Sequence, residues 1–127
     1  MSHWAEVQTN LKDIKMLEKA ARLLGCEVKY NTIARGYAYN KLKADLVITP
    51  PGSPYDVAVN KHKTGLTLVT DWFRGHVEKT LGKDYGLLKQ AYAVLVIKNM
   101  ASVLQAETKE EIDQDGNINI ILVPQNN

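Results

Sequence analysis

Three histidines, one cysteine and a few aspartates are the side chains through which this chain could do catalysis, and their spacing offers little for it. His3, His62 and His76 include no pair at the i,i+4 spacing that would turn two imidazoles of one helix toward a shared metal. His3 sits beside the apolar face of an N-terminal strand and reads as a structural imidazole. His62 lies between Lys61 and Lys63 in a turn, where solvent or a phosphate is the natural neighbour, and His76 reads as a surface helix position. Cys26 stands at a strand start and reads as a small buried hydrophobe. As the only cysteine it excludes an internal disulfide and a cysteine-rich zinc site. No nucleophile elbow is present, and Gly82-Lys83 lacks the upstream glycine of a phosphate-binding loop. Asp45 and Asp56 could face each other across neighbouring strands, a common arrangement without chemistry. The expectation is therefore no catalytic residue, no metal and no cofactor. The alternative of an unrecognised enzyme requires His3, Asp45, Asp56, Asp71 or His76 to converge in one pocket.

Binding chemistry has better candidates. Arg35, Tyr37, Tyr39, Lys41 and Lys43 alternate, so on a strand they would line one face with cations beside stacking rings, the combination that single-stranded nucleic acids use. Lys61 and Lys63 extend this set toward RNA or a phosphate ligand. An ordinary exposed strand face has the same pattern, and the isoelectric point near 8.6 is below that of a dedicated nucleic-acid binder. Charge is uneven along the chain: between Lys29 and Lys63 six basic residues oppose two acidic ones, whereas from Gln105 onward five acids oppose Lys109. Two solvated faces of different sign satisfy this pattern, and so do two complementary ends that bring chains together. For a protein partner the candidates are Trp4, Trp72 and Phe73.

These residues need a scaffold, and 127 residues suit one domain, 1–127, able to bury roughly two thirds of its unfolded surface. Hydrophobic residues at 45% and charged residues at 24% are globular proportions. Ser2 to Thr9 reads as a strand with Ala5, Val7 and Thr9 on one face and Trp4, Glu6 and Gln8 on the other. Trp4 then packs under a helix or a partner. A fold that begins at residue 2 leaves no room for a targeting peptide, and the apolar run Ala91 to Ile97 is far short of the about 20 residues of a membrane span, so a cytoplasmic or plastid-stroma location is expected.

Asn10 or Asp13 can cap a helix whose Ile14, Leu17, Ala21 and Leu24 recur at helical spacing, with Gly25 ending it and Glu18 and Arg22 paired on its wet side. Cys26, Val28 and Tyr30 mark a half-buried strand, and Asn31 to Lys43 reads as a strand with a bulge at Gly36. Ala44 to Thr49, Tyr55 to Asn60 and Leu66 to Asp71 form three strands of an antiparallel meander, the first stopped by Pro50-Pro51-Gly52-Ser53-Pro54. Asp71 can cap a helical segment through Trp72, Phe73, Val77 and Leu81. A second segment from Asp84 runs through Leu87, Leu88, Ala91, Tyr92, Leu95 and Met100 at helical spacing; within it Tyr92 to Ile97 is apolar on every side, as a central or interface helix is, with a strand as the competing assignment for that short run. Asp115-Gly116 between two β-type runs is a strong hairpin signal, and the charged first strand suits a sheet edge. The expected fold is α+β: an antiparallel sheet of about six strands, an N-terminal amphipathic helix, a central helical pair and a C-terminal hairpin.

Met1-Ser2-His3 at a strand start, Arg35-Gly36-Tyr37, Ala44-Asp45-Leu46-Val47-Ile48, Tyr55-Asp56, Asp71-Trp72, Gln90-Ala91-Tyr92-Ala93 and the Asp115-Gly116 hairpin together resemble the hypothetical chloroplast open reading frame thirty-five family. That family comprises uncharacterised proteins of plastids, cyanobacteria, other bacteria and phages. The resemblance spans essentially the whole chain through short motifs. It implies a stand-alone soluble α+β domain, no established activity and no catalytic residues, with genes often near an AAA-type ATPase. The Glu-rich strand before the final turn departs from plastid-type members and is closer to bacterial or phage ones. The function expected is that of a small non-catalytic binding or adaptor protein. Its protein partner would be an AAA-type ATPase or, in a homo-oligomer, a second copy; binding of RNA or a phosphate ligand is the alternative.

Overall fold

The structure, a computed structural model, describes residues 4–103 and 106–124. Its elements in chain order are β1 (Trp4–Gln8), α1 (Ile14–Leu23), β2 (Glu27–Arg35), β3 (Lys41–Thr49), β4 (Val57–His62), β5 (Gly65–Asp71), α2 (Glu78–Leu81), α3 (Gly86–Val103), β6 (Ala106–Ile112) and β7 (Ile118–Pro124). Strands β1 to β5 form one antiparallel sheet in the order β1-β5-β4-β3-β2, and β6 and β7 form a separate two-stranded sheet. The fold is α+β as expected, but the single sheet of about six strands is corrected to five plus two.

Helix α1 starts where Asp13 Oδ1 accepts a hydrogen bond from the Met16 amide at 3.1 Å, and Gly25 follows its end at φ 85°. Leu17, Ala20 and Ala21 are buried against Val28, Leu46, Ile48, Val57, Val59, Leu66 and Leu68 of the sheet. Helix α3 joins the same core through Leu88, Ala91, Tyr92 and Leu95. The Tyr92 hydroxyl accepts from the amides of Lys12 and Asp13, so α3 also holds the start of α1. Each large side chain buried here contributes about 1.5–3 kcal/mol.

The helical pair expected after Asp71 is corrected. Only α3 is a long helix. Before it the chain passes through a 3-10 turn at Phe73–Gly75, the single turn α2 and a second 3-10 turn at Lys83–Tyr85. Arg74, Asp84 and Tyr85 hold φ of 57°, 51° and 62°, and left-handed residues cannot continue a right-handed helix.

The opposite face of the sheet is covered by the chain's own β2–β3 ribbon. Ala34, Leu42 and Ala44 of that ribbon pack with Val47, Ala58, Val69 and Trp4 in a second, smaller core. Ala44 and Leu42 have the same strand parity as Leu46 and Ile48, yet they pack on the other side. Alternation has therefore slipped by one residue near Asp45 on β3 and near Asn31 on β2, where Asn31 takes φ 48°. A one-residue slip moves every later side chain to the other face. At the same place Asp45 and Asn60 replace the β3–β4 ladder with side-chain bonds: the Asp45 amide donates to Asn60 Oδ1 at 3.0 Å and the Lys61 amide to Asp45 Oδ2 at 2.8 Å. Freed from β4, the ribbon bends back. Arg35 pairs with Lys41, and Val57 pairs with Ile48. A straight β3 would separate Lys41 from Ile48 by about 23 Å, yet the Asp56 amide donates to the Arg35 carbonyl at 2.9 Å.

The strand with a bulge expected over Asn31 to Lys43 is thus two strands and a turn, and the meander has four strands. Gly36 is not a bulge. A Cβ there would lie 2.7 Å from Trp4 Cζ2, so the glycine makes room for the indole that closes the ribbon onto β1.

Candidate functional site

The ribbon tip is held by two buried aspartates. Asp56, at the start of β4, accepts from the Arg35 amide and Nε at Oδ2 and from Arg35 Nη2 and Thr49 Oγ1 at Oδ1, all within 2.8–2.9 Å. Its carboxylate acceptor sites are filled from inside the fold. Asp71, the last residue of β5, accepts from the Tyr37 amide at 3.3 Å and from the Phe73 amide at 3.0 Å. It therefore ends β5 in a side-chain turn instead of capping a helix. Tyr37 meets Phe73 edge-on at 5.0 Å between ring centres, and the Arg74 guanidinium lies over the Phe73 ring at 5.4 Å from its centre.

Between these anchors the turn Tyr37-Ala38-Tyr39-Asn40 is closed by a 3.1 Å bond from the Asn40 amide to the Tyr37 carbonyl. Ala38 and Tyr39 both have positive φ, 55° and 65°. A mirror-image turn of this kind normally uses Asn or Gly, and each L side chain in this region costs about 1–2 kcal/mol. Tyr39 is 95% exposed. Beside the turn lies a cleft of about 440 Å³ lined by Arg35, Gly36, Tyr37, Tyr39, Lys41 and Tyr55, among others. Burial and the nearby Asp71 charge push the Tyr55 phenol above its ordinary range. The Tyr55 ring also meets His76 edge-on at 5.3 Å.

The basic and aromatic residues expected on one strand face are divided by this geometry. Arg35 and Lys41 are cross-strand partners, Lys43 pairs with Ile33 further down the ribbon, and Tyr37 and Tyr39 belong to the turn between the strands. Lys61 and Lys63 are at the β4–β5 turn, the far end of β4 from Asp56. Of the five residues that an enzyme site would require, Asp56, Asp71 and His76 come to the ribbon-tip end. Asp45 lies four residues along β3 from Thr49, the partner of Asp56, which is about 13 Å. His3 lies outside the described residues. Trp4 packs on Gly36, and Trp72 tilts onto Tyr85 with ring centres 4.8 Å apart, so both indoles face their own chain. Phe73 is half-buried.

Cys26 is buried, and desolvation pushes its thiol up to about 11, far from a reactive thiolate. Tyr85 is buried with its hydroxyl unpaired among the described residues, and burial drives its phenol well above the usual range. Among the described residues no group of three or more His, Cys, Asp or Glu side chains could hold a metal ion. Nor is any described helix long and apolar enough to cross a membrane.

The class these observations define is an α+β domain with one hairpin folded back over its sheet and a second hairpin outside it. No protein-family model matches the chain, and no curated protein or solved structure matches it either.

Proposed function

We propose that this protein is a non-catalytic binding protein acting through protein contacts made by α3 and the β6–β7 hairpin. The observation that carries this reading is that α3 has no polar face and is only partly covered. Leu88 and Ala101 are buried, whereas Met100 is 49% and Val103 75% exposed. The polar residues of α3 are scattered round it, and its middle run, residues 92–97, is apolar on every side, as in a core or interface helix. The hairpin beside it adds exposed Ile112, Ile121 and Val123. Its β7 strand, Ile118 to Pro124, carries no charged residue to discourage pairing along its free edge, in contrast to β6 with Lys109, Glu110 and Glu111. Kinship with the hypothetical chloroplast open reading frame thirty-five family belongs to the same proposal, and with it an AAA-type ATPase as the partner to try first.

The test is affinity purification of the full chain at mild salt, with the wild type and a Met100→Glu/Ile121→Lys double variant. Both changes are at exposed positions, and circular dichroism verifies that the variant folds. The reading expects a reproducible partner, or a second copy, that the double variant loses. An inert monomer, or a partner retained by the variant, overturns it.

A further inference from the structure

The cleft at the ribbon tip has a different chemistry from the apolar end, and it carries an inference independent of the protein-contact reading. We propose that the tip of the β2–β3 ribbon binds single-stranded nucleic acid, with one base stacked on Tyr39 at the mouth of the cleft and the adjoining phosphates on Lys41, Lys43 and Arg74.

Three observations lead there. First, the turn places a tyrosine ring almost entirely in water on a backbone that L residues avoid. Strain of this kind persists where surrounding contacts over-determine it, and it concentrates at ligand-binding sites. Here the bonds from Gly36 to Asn40, from Tyr37 to Asp71 and from Arg35 to Asp56 do the over-determining. A ring held on such a turn loses little freedom when a base stacks on it.

Second, the two acids that fasten the tip are internal. Asp56 is spent on Arg35 and Thr49, and Asp71 on two backbone amides, and both are buried. Lys41, Lys43 and Arg74 are exposed, and none of them takes part in a salt bridge among the described residues. Lys41 lines the cleft, Lys43 follows it two residues along β3, and Arg74 reaches this end through Phe73 and Tyr37, so the approach to the cleft is cationic. A groove that recognises a proline-rich peptide through its rings alone has no need of such charge, whereas a phosphate backbone does.

Third, the ring stands on a narrow protruding turn. A duplex hides the faces of its bases in the stack, so a lone tyrosine can stack only on an unpaired one. Lys61 and Lys63 are outside this footprint, which makes the site short and its salt dependence modest.

The experiment is fluorescence anisotropy of the full chain with a labelled oligothymidylate and an oligouridylate of about ten nucleotides, across a salt series. Three phosphate contacts predict that log K falls with log salt at a slope of about −2. Tyr39→Ala should weaken binding roughly tenfold, and Tyr39→Phe should retain it, because stacking needs the ring and not the hydroxyl. Lys41→Ala should make the slope shallower by about 0.7. Both positions are exposed, so the three variants keep the fold. The proposal is overturned by the absence of salt-dependent binding, by binding that Tyr39→Ala leaves unchanged, or by a proline-rich peptide that binds the cleft where the oligonucleotides do not.

Discussion

The two hairpins of this chain are alike in strand type and opposite in how they are held. The β2–β3 ribbon is folded onto the sheet, its inner residues Ala34 and Ala44 are buried, and its tip is tied to β4 and β5 through Asp56 and Asp71. The β6–β7 hairpin touches the body through α3, and among the described residues one exposed ion pair, Lys98 to Glu110 at 2.8 Å, joins them. An exposed pair of that kind contributes about 0–1 kcal/mol, and an isolated two-stranded hairpin is marginal in water. One hairpin is thus part of the fold and presents a rigid tip. The other is an appendage whose apolar strand has, among the described residues, no strand paired along one edge. The difference separates the two binding proposals: a pre-organised site for a small footprint at the tip, and a surface that a macromolecular partner completes at the far end.

Removing Asp56 is the strongest way to break this contrast. Asp56→Ala takes away four accepted hydrogen bonds and leaves Arg35 without its counter-charge. Because Arg35 is half exposed, the expected loss is about 2–4 kcal/mol, at the lower end of what breaking a buried pair costs. Urea unfolding followed by circular dichroism checks it, and a loss below about 0.5 kcal/mol, the range of ordinary surface changes, would show that the clamp is not what holds the ribbon.

Gly36→Ala is the next test. Its new methyl would meet Trp4 at 2.7 Å, so either the indole or the ribbon must move, at a cost of about 1–3 kcal/mol. Tryptophan emission should shift to the red as Trp4 leaves its seat. Unchanged emission and stability would mean that the indole does not close the ribbon.

The smallest effect is expected in the other hairpin. Asp113 Oδ1 accepts from the amides of Asp115 and Asn117 at 2.9 Å each, and these bonds hold its carboxyl below the usual aspartate range. A depressed folded pKa gives stability that is present above the unfolded value and is lost as pH falls through the folded one. The turn amide of Asn117 should therefore move in NMR spectra as acid is added below pH of about 4. An Asn117 amide that stays in place through this range would mean that the Asp113 carboxylate does not hold the turn.

Legibility in the sequence differs between the same two regions. Asp115-Gly116 announced the β6–β7 hairpin because this turn needs positive φ, and Gly116 supplies it at 81°. Helix α1 was equally plain, with Asp13, the apolar stripe and Gly25 all in agreement. The ribbon was not legible, for three physical reasons. Its turn is Ala38-Tyr39, residues that give no turn signal. Its phase slip occurs at Asn31 and Asp45, which look like ordinary polar strand positions. Its lone glycine serves a tertiary contact with Trp4 that lies more than thirty residues away in sequence. For the site, sequence named Arg35, Tyr37, Tyr39 and Lys41 but could not place Lys61 and Lys63 at the other end of β4, nor see that Asp56 and Asp71 are fastenings.

Native-state hydrogen exchange of the full chain measures the difference between the hairpins most directly. The amides of Gly36 and Asp56 donate within the clamp, to the carbonyls of Asn40 and Arg35, and should exchange only through global unfolding. Amides of the β6–β7 ladder should exchange through local opening at a free energy several kcal/mol lower. Equal protection of the two sets, or faster exchange at Gly36 and Asp56 than in β6 and β7, would contradict the account.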